Sequence, residues 1–141
     1  MKKWIVLWVS LALLSLMFTG CRSQEMAASP AADKLTKVSV SKSEVFGEVN
    51  PDFLAVFEDE PSLETFERLF MKALKREGIA DMAEPDYDLE VVYANGDKQE
   101  YHLWLSEKGQ RSTLASFEDL HVTYTVIEAN TDELIDLLQS P

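Results

Sequence analysis

Cysteine and histidine are scarce in this sequence of 141 residues: Cys21 is the single cysteine, and His102 and His121 are the two histidines. One cysteine cannot close an internal disulfide, so a secreted form of this chain would be held by its core alone. A paired-cysteine zinc site is excluded, and no H-E-x-x-H segment occurs. Glycine is sparse as well. None of Gly20, Gly47, Gly78, Gly96 and Gly109 falls in a G-x-G-x-x-G or Walker pattern, so the sequence offers no phosphate cradle. No serine sits in a G-x-S-x-G elbow. Basic charge is also short, with 13 Lys and Arg against 25 Asp and Glu and a net charge of −12. Nucleic acid and anionic lipid repel such a chain, which argues against a DNA or RNA partner and against a domain lying flat on a membrane. Solubility is the ordinary explanation of the charge. Carboxylates are so abundant that any chosen acid/base pair is uninformative.

What is present begins at the N-terminus. Lys2 and Lys3 precede an almost unbroken apolar run from Trp4 to Thr19, which ends in Phe18-Thr19-Gly20-Cys21. A positive end, an apolar stretch and small residues at a cleavage point make a secretory signal peptide. The run is short for a membrane span, which takes ~20 residues. An uncleaved anchor with an incidental cysteine is the alternative, and length, charge and cysteine position speak against it. The last four residues resemble the lipobox of bacterial lipoproteins, with Phe18 where that family prefers Leu. The resemblance implies cleavage before Cys21 and a diacylglyceryl group on its thiol. Two or three acyl chains such as palmitate give stable attachment without a spanning helix. The expected location is therefore the extracytoplasmic face of the cell membrane. A catalytic thiol is excluded, because the one thiol is committed to lipid. Removing Lys2 and Lys3 with the leader would lower the basic count from 13 to 11 against 25 acids, a balance of −14.

Three regions are expected: a signal peptide at 1–20, the lipidated cysteine with a flexible tether at 21–36, and one domain at 37–141. The stretch Arg22 to Thr36 is rich in Ser, Ala, Gln and Lys, with Pro30 in the middle. As a flexible linker it would reach ~20 Å. The domain that follows has the common size for a single core.

Periodicity predicts the elements of that domain. Val38 to Val45 and Phe53 to Glu58 read as strands. Ser62 to Glu77 reads as one long helix, with Leu63, Phe66, Phe70, Ala73 and Leu74 on one stripe, Ser62 as cap and Gly78 as terminator. Asn95-Gly96 predicts a two-residue hairpin turn between a strand carrying Tyr87, Leu89, Val91 and Tyr93 and a return strand. The return strand has Tyr101, Leu103 and Leu105 on one face and His102 and Trp104 on the other. Arg111 to Phe117 and Val122 to Glu128 read as further strands, and Thr131 as the cap of a short helix carrying Leu134, Leu137 and Leu138. The predicted class is α+β: an antiparallel meander sheet packed by one long helix, with a short C-terminal helix.

Several short segments resemble the YhfM-like family of small lipoproteins of Gram-positive spore-formers. They are Gly78-Ile79-Ala80-Asp81 leading to Pro85-Asp86-Tyr87, Tyr93 with Asn95-Gly96, Tyr101-His102-Leu103-Trp104-Leu105, and Asp119-Leu120-His121 with Tyr124. The likeness runs over about Lys37 to Leu138. It implies an envelope location, and no catalytic residue or cofactor comes with it.

The candidate site residues are few. Asp119, His121 and Tyr124 lie close in sequence, and on an extended segment Asp119 and His121 share a face. An Asp accepting from one imidazole nitrogen frees the other for a proton or a metal. With His102 they would form a polar binding spot; otherwise they pin the start of a strand. Asp81, Glu84, Asp86 and Asp88 are oxygen ligands in number, but they lack EF-hand spacing and Pro85 interrupts them, so a solvated acidic loop is the simpler reading. Trp104 either contacts a peptide, glycan or protein from the open sheet face or packs under the last helix. No metal or cofactor is called for. Two function classes follow. One is a lipid-tethered binding module of the envelope and not an enzyme. The other is a small metal-dependent or hydrolytic factor using His102, Asp119 and His121, which needs those three side chains to converge.

Overall fold

The computed structural model describes residues 34–77 and 83–140. The expected leader, Cys21 and tether residues up to Asp33 lie outside the described residues, as do Gly78, Ile79 and Asp81. The elements are β1 (Leu35–Lys42), β2 (Phe53–Phe57), α1 (Glu60–Lys72), β3 (Leu74–Glu77), β4 (Tyr87–Tyr93), β5 (Lys98–Trp104), β6 (Ser112–Ser116), β7 (Asp119–Val126) and α2 (Glu128–Gln139). The strands form one seven-stranded sheet in the order β2-β1-β4-β5-β6-β7-β3, with every neighbouring pair antiparallel.

This overturns the expected sheet packed by one long helix. α1 has 13 residues and stops at Lys72, and α2 has 12. Ala73 turns extended, and Leu74–Glu77, the expected last turn of the helix, pairs with β7 as an edge strand. The sheet departs from a meander in two places. β1 sits between β2 and β4, and β3 reaches the far edge beside β7. The pairing partner decides the fate of Leu74–Glu77, because Leu, Lys, Arg and Glu all favour helix in isolation. A backbone edge waiting on β7 outweighs that small preference.

Local chemistry explains where the helices begin. The Asp59 carboxylate accepts the Ser62 backbone N–H at 3.0 Å, so Asp59 caps α1 and Ser62 is the capped residue. Those hydrogen bonds hold the Asp59 carboxyl below the usual carboxylate range. α2 starts three residues before the expected Thr131 cap, with Ile127 at its N-cap. Thr131 instead lies inside the helix, where its hydroxyl donates to Ser112 Oγ and accepts the Ser112 N–H, fixing α2 to β6.

Strand alternation divides the sheet into two faces. Val38, Val40, Leu89, Val91, Tyr101, Leu103, Leu114 and Val126 form the core with Leu63, Phe66, Leu69 and Phe70 of α1 and Leu134 of α2. Phe66 packs against Phe57 with ring centroids 5.5 Å apart, and Phe70 against Tyr101 at 5.1 Å. Each fully buried Phe contributes ~1.5–3 kcal/mol. Ser39, Ser41, Asp88, His102 and Ala115 alternate with the core positions and belong to the second face, yet they too are buried. The β1–β2 connection lies over Asp88 and His102 of this set. Among the described residues, no helix is long and apolar enough to cross a membrane.

Candidate functional site

The buried polar group of the second face is set by the β4–β5 register. Asn95-Gly96 does make a hairpin, but Tyr93 N–H bonds to Asp97 O at 2.9 Å and Gly96 N–H to Tyr93 O at 2.9 Å. Gly96 has φ +90 and Asn95 has negative φ. The loop therefore holds three residues, Ala94 to Gly96, in place of the expected two, the form built on a type I turn followed by a left-handed glycine. The resulting register puts Asp88 opposite His102, and β1 adds Ser41 opposite Asp88.

Asp88 and His102 are each fully buried, and His102 Nδ1 lies 2.9 Å from Asp88 Oδ1. The other ring nitrogen, Nε2, accepts the backbone N–H of Gly47 at 2.8 Å. A backbone amide can only donate, so Nε2 carries the lone pair and Nδ1 carries the hydrogen. Burial pushes the His102 pKa below its usual value, against the opposing pull of Asp88. Asp88 Oδ2 accepts the Asn50 N–H at 3.2 Å. The connection from Ser43 to Asp52 is thus tied down at Gly47 and Asn50, and Gly47 has the left-handed φ of +87 that suits glycine. Aromatic rings complete the enclosure of the imidazole. Phe46 stacks on it at 4.7 Å, Phe117 lies at 4.2 Å, and Trp104 meets it edge-on at 6.0 Å.

Chemically this is a clamp. A general base would need a free Nε2 within reach of a substrate proton. Here that lone pair is spent on Gly47. The order Ser41-Asp88-His102 across β1, β4 and β5 also differs from a hydrolytic triad, where the imidazole stands between acid and hydroxyl. The Ser39 and Ser41 hydroxyl oxygens are buried and make no hydrogen bond among the described residues.

The residues singled out from sequence fall in separate places. His102 is the buried member of the clamp. Trp104 is half-buried on the same face and donates its indole N–H to Ala83 O at 2.6 Å. Asp119 and His121 are exposed at the start of β7, and Asp119 Oδ1 accepts the backbone N–H of His121 at 3.1 Å, not its ring. Tyr124 packs against the core from the helix side, where burial raises its pKa. β6 lies between His102 on β5 and His121 on β7, so the two histidines sit two strands apart, roughly 10 Å. Among the described residues no group of three His, Cys, Asp or Glu could hold a metal ion. Of the acidic loop, Asp86 accepts the Leu105 N–H at 2.9 Å and Asp88 belongs to the clamp. Asp88 is the partner that sequence reasoning missed. The hairpin register held that information, one residue away from the register a two-residue turn implies.

Two further surface features stand out. Val45, Phe46, Phe53, Leu54 and Val56 are exposed large hydrophobics on β2 and the connection before it. An open cleft of about 550 Å³ lies between the ends of β4 and β5 and the last turns of α2, with Asp86, Tyr87, Leu105, Lys108, Ile135 and Leu138 among its lining. Lys108 is paired with Asp136 at this end of the molecule.

Comparison with known proteins places the fold and the family. No curated protein matches the sequence. A crystal structure of a thioesterase-like protein from Clostridium sporogenes is similar, with a TM-score of 0.63 and 16% identity over 82% of this chain and 100% of that one. At that identity the likeness concerns the fold. The family model described as YhfM protein matches residues 32–141, and the chain belongs to that family.

Proposed function

We propose that this chain is a lipid-anchored protein of the extracytoplasmic membrane face and acts there as a binding module. The anchor rests on the apolar run ending in Gly20-Cys21. The module reading is carried by one observation. The buried imidazole with an acidic partner has both ring nitrogens engaged, whereas apolar side chains at β2 stand in solvent. A site for chemistry needs the reverse arrangement, with a reactive group open to substrate. A hydrolytic or metal-dependent role for His102, Asp119 and His121 gains no support from their separation. The partner class is another envelope component, a protein or glycan, and not nucleic acid.

Labelling cells with a fatty-acid analogue tests the anchor. Wild type should take label and Cys21→Ser should not; equal labelling would overturn the anchor. Incubating the purified chain with chromogenic esters and acyl thioesters tests the module reading. No turnover above the buffer rate is expected, and turnover lost in His102→Gln would replace the module with an enzyme.

A further inference from the structure

The two edges of the sheet are built differently. β3 has four residues, of which Lys75, Arg76 and Glu77 are charged. Shortness and charge are common devices that stop an edge from pairing with another chain. β2 reads Phe53-Leu54-Ala55-Val56-Phe57, with no charge and no proline. It pairs with β1 on one side and has no other ladder neighbour among the described residues. Ala55 and Phe57 lie opposite Val40 and Val38 on the core side, while Val56 lies opposite Ser39 on the second face. Leu54 and Val56 are 63% and 53% exposed. A register shift at Val40/Ser41 leaves Leu54 outside the ladder, while Ala55, Val56 and Phe57 pair in register with β1.

Charge identifies the occupant. From Ser43 to Glu60 the chain has six acidic residues, Glu44, Glu48, Asp52, Glu58, Asp59 and Glu60, and no basic one. Among these, Glu60 is neutralised by Lys34 at 3.2 Å. Asp52 and Glu58 bracket β2 and both are exposed. A second copy pairing antiparallel through β2 would set Asp52 against Glu58 at both ends, and like charges oppose that association. An anionic lipid surface is repelled for the same reason. We propose that β2 accepts, as an eighth strand, an extended apolar segment with lysine or arginine at its flanks, supplied by another envelope protein. Backbone hydrogen bonds to β2 give the affinity, Leu54 and Val56 contact alternate side chains, and Asp52 and Glu58 receive the basic flanks. This deepens the binding-module reading and depends on it.

The test places a photo-crosslinking phenylalanine analogue at position 56, or at the control position 121 on β7, in the full lipidated chain in cells. The crosslinked residues are then mapped. Position 56 should capture an apolar segment with basic flanks in a different protein. Leu54→Lys should cut that yield several-fold without lowering the melting temperature, and added salt should lower it in isolated envelopes. Capture of a second copy's β2, of residues 22–33 of the same chain, or of a segment without basic flanks would overturn the proposal. Capture at 121 with none at 56 would overturn the edge site and leave the module reading standing. Capture at neither would remove both.

Discussion

Asp88 and His102 face each other across β4 and β5 with 2.9 Å between carboxylate and imidazole, and neither side chain has any exposed surface. The pair orders the β1–β2 connection, because each member has one more acceptor and each takes a backbone N–H from it. Asp88→Ala should therefore cost about 3 kcal/mol, leaving the imidazole N–H and the Asn50 N–H without their acceptors. Asp88→Asn keeps an oxygen for the imidazole but turns an NH2 toward the Asn50 N–H, and should cost about 2 kcal/mol. Urea denaturation of both variants checks the order.

The same imidazole makes stability depend on pH. Its folded pKa lies below the ordinary 6.5 because of burial. Above that value His102 is neutral in both states and contributes no slope. As pH falls below 6.5 the unfolded chain takes the proton first, so stability drops by at most ~1.4 kcal/mol per pH unit until the folded value is reached. In His102→Gln this component should vanish. Denaturation series on both proteins over the same pH range give the difference. Amide exchange at Gly47, corrected for its intrinsic pH dependence, should accelerate in wild type only below the folded value, where a protonated Nε2 can no longer accept.

Gly47→Ala separates conformation from crowding. A Cβ at Gly47 would meet nothing within 4 Å, so steric clash is absent and the φ of +87 alone opposes the substitution. The expected cost is ~1–2 kcal/mol, with loosening confined to the connection over His102. Hydrogen exchange should show faster exchange at Asn50 and unchanged protection along β4.

Helix α1 supplies two of the large, fully buried rings of the core. Phe66→Ala and Phe70→Ala should each lose ~3–5 kcal/mol, because both rings are buried and a cavity follows. Glu67 is on the flank of the same helix, where a pure surface residue would be nearly neutral. Its Oε1, however, accepts the Leu35 N–H at 3.2 Å at the start of β1. Glu67→Ala should thus cost ~1 kcal/mol, and Glu67→Gln less. Thermal melts distinguish all four.

Single strands, more than the architecture, were legible in alternation. β2 is the expected strand within a residue, and the hairpin around Asn95-Gly96 is where the dipeptide puts it. The clamp was not legible, because a one-residue change in loop length flips the pairing of every side chain along the strands. A two-residue turn would set His102 opposite Leu89; the three-residue loop sets it opposite Asp88. Leu74–Glu77 was illegible for a different reason. Its helical stripe is real, but its partner, Val122 to Thr125, lies 45 to 51 residues further along the chain, and local pattern carries no news of that. The Gly47 contact is of the same kind, since it joins residues 55 apart in sequence.

The position of β3 bears on how the chain reaches this fold. β1 and β2 can meet early through a short connection, but the other side of β1 waits for β4. β3 waits longer, until Val122 to Thr125 has been made. Helix α1, lying between them in sequence, therefore has its two flanking strands at or near opposite margins of one sheet, and it cannot find its full packing before the chain is nearly complete. Non-local pairing of this kind slows folding, because loop closure must precede the contacts that reward it. A chain released short of β7 would lack Tyr124, Val126 and Leu134 of the core that Phe66 and Phe70 share, so that core cannot close until the last strand and helix are made.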